Sequence, residues 1–335
     1  MRLVQLHGPG GRRLAVVEEP HLHLLEDCGT IYDLASDCLR EGISLLAAIE
    51  RRKSTDRLEY DPVYRGTASE WRLLPSADFP AEPARCLVSG TGLTHQASAK
   101  NRDAMHAGTQ AITDSTRMYL SGVEGGKPAH GEAGISPEWF YKGCGTVLRA
   151  HGEPLVVPEF ADDGGEEPEV AGVYIVDPQD KPRRIGFTVG NEFSDHVFER
   201  KNYLYLAASK LRTCSIGPEL VIDAKIDATF DLIPGEVSVE RNGETLWSHA
   251  IRTGEATMCH SLANIEHHHF KFDFHRRPGD LHIHFFGADA FSFGDGIRLQ
   301  DGDVMQVRFD GFGRALRNPL RRLPVSPKAV AVEPM

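Results

Sequence analysis

The chain contains no run of 18 apolar residues, and its opening, Met1-Arg2-Leu3-Val4-Gln5-Leu6-His7-Gly8-Pro9-Gly10, lacks the apolar stretch of a secretory signal. A cytoplasmic protein with no membrane partner is expected. Cysteine is scarce: Cys28, Cys38, Cys86, Cys144, Cys214 and Cys259 include no C-x-x-C pair. Neither a zinc ribbon nor a disulfide framework is expected, and the thiols read as buried and free. Positive charge is also short, with 37 Lys and Arg against 48 Asp and Glu, a net charge of −11. The densest basic cluster, Arg314, Arg317, Arg321 and Arg322, lies beside a Pro-rich tail. A chain of that sign repels phosphate backbones, which argues against a nucleic-acid partner. Familiar motifs are missing too. Gly126-Lys127 runs into Pro128 where a phosphate loop needs Ser or Thr, and Ser121 stands where its first Gly belongs. No G-x-G-x-x-G follows a strand, and neither G-x-S-x-G nor H-E-x-x-H occurs.

What is present is an ordinary globular composition, 41% hydrophobic and 25% charged over 335 residues, enough for roughly two domains. Residues 2–6 and 13–18 predict a hairpin about the turn Gly8-Pro9-Gly10-Gly11. Helical spacing follows at Ile31, Leu34, Ala35, Cys38 and Leu39. Gly42 interrupts it, and Leu45, Leu46 and Ile49 resume it. These elements predict a small N-terminal α/β domain over residues 1–75. Pro75, Pro80 and Pro83 mark a linker, and Cys86-Leu87-Val88-Ser89-Gly90 reads as a strand entering a second domain over residues 85–325. A polar helix is expected over about 96–118. Beyond Lys142, short strands are predicted at 155–157, 169–176, 185–189, 220–222, 236–240, 281–286 and 304–309. Many short strands with few long helices predict an α+β fold with a rolled or sandwiched mixed sheet.

Two groups of residues carry chemistry. His267-His268-His269 with His260, His275, His282 and His284 form a His-rich stretch, but adjacent side chains cannot converge on one ion. His282 and His284 share a strand face, with no third ligand fixed by spacing, so hydrogen-bonded histidines near a pocket or in the core are expected. The carboxylates are more informative. If Glu167-Pro168-Glu169 is extended, both acids project from one face, roughly 7 Å apart. Glu192 follows the apolar strand Ile185-Gly186-Phe187-Thr188-Val189-Gly190-Asn191. Three hard oxygen donors favour Mg²⁺ or Mn²⁺ over zinc. The same spacing also fits a solvated acidic loop continuous with Asp162, Asp163 and Glu166.

The segment Gly186-Phe187-Thr188-Val189-Gly190-Asn191-Glu192-Phe193-Ser194 resembles the G-Y-T-V-G-N-D-V-S block of the fumarylacetoacetate hydrolase superfamily. Pro137-Glu138-Trp139-Phe140-Tyr141-Lys142 and Glu153-Pro154-Leu155-Val156-Val157-Pro158 match the family's preceding blocks in order. Lys210, Ile216-Gly217-Pro218, Pro278-Gly279-Asp280, Asp301-Gly302-Asp303-Val304, Gly311-Phe312-Gly313 and Asn318-Pro319 match those that follow. The series spans about residues 86–320. Glu199-Arg200-Lys201-Asn202-Tyr203-Leu204-Tyr205 through Lys210, with Cys214-Ser215-Ile216-Gly217-Pro218, resembles the superfamily's sugar-acid branch, the 2-keto-3-deoxy-pentonate dehydratases.

The resemblance implies a mixed β-roll, a homodimer, and Mg²⁺ or Mn²⁺ at Glu167, Glu169 and Glu192, with Lys210 as the pocket lysine. Ser98 and Asn101 stand where the family's hydrolases carry a catalytic His and Glu; a hydroxyl and an amide are not bases at neutral pH. The implied activity is therefore Mg²⁺-dependent dehydration of a 2-keto-3-deoxy pentonate to 2,5-dioxopentanoate. The alternative is hydrolysis of a C–C bond in a 2,4-diketo-3-deoxy sugar acid or acylpyruvate. For dehydration, Glu199 is the candidate acid or base, with His95 as a second, and Ser98, Ser194, Asn202 and His260 are candidate substrate contacts.

Overall fold

In the computed structural model of the chain, which describes residues 1–97, 99, 113–222, 230–325 and 329–335, two glycines set the first turn. Gly10 and Gly11 hold φ of +113° and +108°, a region that favours glycine, and close the predicted hairpin between β1 (Arg2–Gly8) and β2 (Gly11–Glu18). β3 (His21–Leu25) extends it. α1 (Ile31–Glu41) starts at Thr30, whose hydroxyl accepts from the Asp33 N–H at 2.9 Å, and stops at Gly42 in the left-handed region. α2 (Leu45–Arg52), β4 (Lys53–Glu59), α3 (Tyr60–Tyr64) and β5 (Arg72–Leu73) complete this part.

β6 (Cys86–Gly90) opens the second part as predicted. The helix expected over 96–118 has a separate start at Thr113, which caps α4 (Asp114–Gly125); residues 98 and 100–112 lie outside the described residues. Next come β7 (Phe140–Cys144), β8 (Leu148–Arg149), β9 (Leu155–Val157), β10 (Pro168–Val176) and β11 (Pro182–Asn191). α5 (His196–Lys201), α6 (Leu206–Lys210) and β12 (Cys214–Val221) follow. β13 (Ile233–Arg241), β14 (Glu244–Thr253), α7 (Leu262–Phe270), β15 (Leu281–Phe285), β16 (Val304–Phe309) and β17 (Leu316–Arg322) end the chain walk.

The strands form two sheets. A large one runs β4-β3-β2-β1-β12-β11-β10-β15-β6-β7, with β5 on β1 and β8 on β12; a smaller one runs β14-β13-β16-β17-β9. β1 pairs antiparallel with β12, so the strands of the first 73 residues continue the same sheet as those that follow. One face of the large sheet packs on α1 and α2 through Leu3, Leu14, Ile31, Leu34, Ile49, Ile283 and Phe285. Its other face meets the small sheet through Val170, Phe187, Val189, Val237, Val307 and Phe309. β10 is covered on both sides and is buried along its whole length, which is why it reads as an unbroken apolar run after its acidic start. The α+β class expected from the sequence is the class observed.

One buried carboxylate ties the two parts together. Glu219 on β12 accepts from Arg2 Nη1 at 2.8 Å, from the Tyr60 hydroxyl at 3.0 Å and from the Arg314 N–H at 3.1 Å. Arg314 stacks over Tyr60, 3.9 Å from the ring centroid, and pairs with Glu19 and Asp61 at 2.7 Å. Removing the carboxylate would strand the hydroxyl, the N–H and part of a guanidinium. Glu219→Ala is expected to lower the unfolding free energy by about 3 kcal/mol, read from urea denaturation. A loss well under about 1 kcal/mol would show that the seam does not depend on it.

Candidate active site

The site grows from the hairpin of β10 and β11. Their antiparallel register puts Pro168 opposite Asn191 and Glu169 opposite Gly190, so the start of one strand and the end of the next meet at one edge. Pro168 has no N–H to donate, which suits the first position of a strand. The ladder continues past the strands: the Glu192 N–H donates to the Glu167 carbonyl at 2.9 Å, and Gly165 and Ser194 exchange N–H bonds at 2.9 and 3.0 Å. Asn191 Oδ1 secures the corner, accepting from the N–H groups of Glu167 and Phe193. Glu167, Glu169 and Glu192 thereby converge. All three are buried, with carboxylate oxygens within 4.8 Å of one another.

The acidic stretch before them is not a solvated loop. Asp163 and Glu166 are buried, and Glu166 accepts from the Ser292 N–H at 2.6 Å and its hydroxyl at 2.9 Å. Asp162 alone of this group is exposed.

Two lysines face the triad. Lys210 Nζ, at the end of α6, lies 2.7 Å from both oxygens of Glu167, 2.5 Å from Glu192 Oε2 and 3.0 Å from Ser194 Oγ. Lys142 Nζ, on β7, lies 2.6 Å from Glu192 Oε1 and donates to the carbonyls of Glu192 and Phe193. Burial opposes the charge of Glu167, but Lys210 and His196 outweigh it and hold that carboxyl well below its usual range. Burial pushes Glu192 up to about 7 even with Lys142 and Lys210 beside it. Glu169 is raised well above the usual range by burial and then by the charges of Glu192 and Glu167. It accepts from the Gly287 N–H at 2.7 Å and has no ion-pair partner among the described residues.

That imbalance is the test of whether a cation fits. Three buried carboxylates face two ammonium groups, and the least compensated acid lies beside the other two. Hard, anionic oxygens at this spacing suit Mg²⁺ or Mn²⁺, whose charge would make up the shortfall.

Of the other predicted residues, Glu199 and Ser194 fall in this cluster. Glu199, on α5, is buried, accepts from the Ser209 hydroxyl at 2.8 Å and lies 3.7 Å from Lys210 Nζ. α5 is fixed by its cap, Asp195, which accepts from Phe198 N–H and from the N–H groups of Asp162 and Asp163, and pairs with Arg212. Ser194 joins the triad, donating to Glu192 Oε2 at 3.1 Å. His95 is buried beside Thr94, and burial pulls its pKa down to about 3. His260 packs against Gly122 and Gly126 and bonds Asn264, with burial lowering its pKa to about 4. Asn202 is exposed and caps the next turn by accepting from the Leu204 N–H at 3.0 Å, so it is not brought into the cluster. Ser98 lies outside the described residues, as does Asn101.

Sequence reasoning assigned no role to Lys142, Glu138 or His196. The first two carried a signal: Glu138, Phe140 and Lys142 are buried while Trp139 and Tyr141 are exposed, the alternation of a strand with one functional face. Phe140 lies 4.7 Å from Lys210 Nζ, and the Glu138 carboxylate packs on Gly92, where no Cβ would fit. His196 gave no local signal.

The histidines take the expected role in the core. His284 bonds Ser89 and Thr91 at 2.8 Å, His269 bonds His282 at 3.0 Å, and Trp139 donates to His269 at 3.2 Å. Burial lowers His282 and His284 to about 3, so these rings are neutral. Among the described residues the glutamates form the one group of three or more metal-type ligands this close together.

Two packed sheets with a carboxylate triad at the end of a central hairpin define a fumarylacetoacetate-hydrolase-like fold. The solved 2-keto-3-deoxy-D-arabinonate dehydratase complexed with magnesium and 2,5-dioxopentanoate superposes with a TM-score of 0.71 at 19% identity, covering 97% of this chain and 100% of that one. A 5-carboxymethyl-2-hydroxymuconate delta-isomerase from Mycobacterium smegmatis superposes at 0.58 with 18% identity, over 96% and 99%. In sequence, the chain is 27% identical over 308 residues to a probable 2-keto-3-deoxyxylonate dehydratase of Haloferax volcanii, 90% of this chain and 96% of that one. It is 27% identical over 123 residues to a 2-dehydro-3-deoxy-D-arabinonate dehydratase of Saccharolobus solfataricus, 36% and 40% of the two chains. No protein-family model matches. The resemblance read from the sequence motifs, to the sugar-acid branch of this superfamily, is thus the resemblance found over the whole chain.

A carboxyl that titrates near 7 makes cation binding compete with protons. A cation held by Glu192 would need it ionised, so Mn²⁺ affinity is expected to fall by up to about tenfold per pH unit below that value. Calorimetry in two buffers of different ionisation enthalpy is expected to register proton release. Equal affinity at about pH 6 and about pH 8, with no release, contradicts the assignment.

Proposed function

We propose that the protein is a divalent-metal-dependent dehydratase that converts a 2-keto-3-deoxy pentonate into 2,5-dioxopentanoate. The observation that carries this reading is the buried triad of Glu167, Glu169 and Glu192 with Lys210 and Glu199 at its side. A 2-keto acid offers a carboxylate and a keto oxygen side by side, and Mg²⁺ or Mn²⁺ held by the triad would supply Lewis acidity to that chelate.

The protein's own groups divide the remaining work. Lys210 carries positive charge where charge develops on the keto oxygen as a C3 proton leaves. Glu199 is the acid or base: it is buried, held by Ser209, and within one proton relay of Lys210. Its tasks are to take the C3 proton or to protonate the departing C4 hydroxyl, so that one water is lost. The unsaturated acid then tautomerises, the C5 carbinol becoming the aldehyde. Ser194, bonded to both Lys210 and Glu192, orients the lysine. His95, neutral at pH 7, is the second candidate base, and Ser98, Asn202 and His260 are the candidate substrate contacts.

A homodimer fits the exposed apolar residues Leu204, Tyr205 and Leu211 on the segment that carries Lys210, which a second copy would cover. A reducing compartment such as the cytoplasm fits six cysteines without a disulfide. No helix among the described residues is long and apolar enough to cross a membrane.

With Mg²⁺ and a 2-keto-3-deoxy pentonate, 2,5-dioxopentanoate is the expected product. Pyruvate from a 2,4-diketo acid, with no turnover of the pentonate, would establish the hydrolase instead. Glu169→Gln is expected to lose metal and activity while staying folded. Glu199→Gln is expected to keep near-normal metal affinity and to lose roughly 10²- to 10⁴-fold in kcat. Weak metal binding with normal turnover in that variant would refute the role of Glu199.

A further inference from the structure

Glu167 is gripped from two sides. Lys210 takes both of its oxygens, and His196, the first residue of α5, directs Nε2 at Oε1 from 3.1 Å. His196 is fully buried, and nothing about its position is loose. Its ring stacks on Phe291 with centroids 4.6 Å apart and planes 12° from parallel, and Phe293 lies 5.2 Å away. The opposite edge rests on Gly165, where a Cβ would come within 2.6 Å of Nδ1. The backbone bridge between Gly165 and Ser194 and the Asp195 cap of α5 fix the ring relative to the segment carrying Glu167.

Of the two neutral tautomers, only one suits this setting. Nδ1 has no hydrogen-bond partner among the described residues, and Nε2 faces a carboxylate oxygen. A proton on Nδ1 alone would bury an unsatisfied donor and set two lone pairs against each other across the His196–Glu167 contact. A proton on Nε2 satisfies the carboxylate and leaves only a lone pair against Gly165.

We propose that His196 is a positioning residue for Glu167: its Nε2–H fixes the carboxylate so that the triad is set for a divalent cation before the cation arrives. This rests on the triad being the metal site. Outer partners that orient a ligating group commonly govern affinity as strongly as many direct contacts. His196 acts through Glu167, the carboxylate that its Nε2 faces, so its effect is on metal affinity first and on turnover only through it.

The test uses Mn²⁺ alone, titrated into metal-free protein and followed by calorimetry and by the electron paramagnetic resonance of free Mn²⁺. His196→Phe keeps a stacking ring and removes the donor; its Kd is expected to rise roughly 10- to 100-fold. His196→Gln places an amide N–H near the Nε2 position, and its Kd is expected to return most of the way to the wild-type value. Wild-type affinity in His196→Phe, or equal losses in both variants, overturns the proposal, the second because it would mean packing alone. Should His196→Phe fail to fold, ¹⁵N-histidine spectra of the wild type, with the His196 signal assigned by its loss in His196→Gln, decide the matter. A proton on Nε2, in the neutral ring or the imidazolium, supports the proposal, and a ring protonated on Nδ1 alone overturns it. If the wild type itself binds no Mn²⁺, the metal reading fails and takes this inference with it, whereas wild-type binding with an unaffected His196→Phe overturns His196 alone.

Discussion

Three carboxylates buried within 4.8 Å of one another are the constraint around which this molecule is organised. Left to themselves, such groups would repel and take up protons, because burial and mutual charge both disfavour ionisation. Two lysines relieve part of that. Lys210 ties Glu167 to Glu192, and Lys142 holds the far oxygen of Glu192 and two carbonyls of the same turn. The shortfall that remains concentrates on Glu169, whose carboxyl is raised by its two acidic neighbours. A site in that condition stores affinity for a small, doubly charged cation, and the raised acids are those that binding would deprotonate.

Holding the acids there is the task of the whole scaffold. Glu167 and Glu169 lead into β10 and Glu192 leaves β11, so their approach depends on antiparallel register and on a ladder that continues past the strand ends to Gly165 and Ser194. Helices cover one face of this hairpin and the small sheet covers the other, which keeps water out of the strands that carry the charge. Glycine at 190 lets the Phe285 ring approach the strand, since a Cβ there would lie 2.3 Å from it. At the outer side of β12, Glu219 binds Arg2 on β1 and Tyr60 on α3, so the first part of the chain braces the sheet on which the triad stands.

Much of this was legible residue by residue. The Gly10-Gly11 turn, the helix broken at Gly42, and the strands around residues 155–157, 185–189 and 304–309 follow from local pattern, and local pattern is what sets them. The triad was legible only in part. The spacing of Glu167 and Glu169 allowed either an ion site or a solvated loop, because the groups that enclose this stretch, Lys210, Gly287 and Ser292 among them, come from far along the chain; the motif resemblance broke the tie, and the burial of Asp163 and Glu166 agrees with it. His196 was not legible at all, since its meaning comes from a cross-strand bridge and from aromatic rings nearly a hundred positions further along. Of the helix expected over about 96–118, Gln96, Ala97 and Ala99 are helical and Thr113 caps a helix over 114–125, while residues 98 and 100–112 lie outside those described.

The central claim is spatial: a single divalent cation sits among Glu167, Glu169 and Glu192. Anomalous diffraction at the manganese edge, from crystals grown with Mn²⁺, measures this directly. The account predicts one strong peak between those three carboxylates. A peak among His269, His282 and His284, or no ordered peak within the triad, would contradict it.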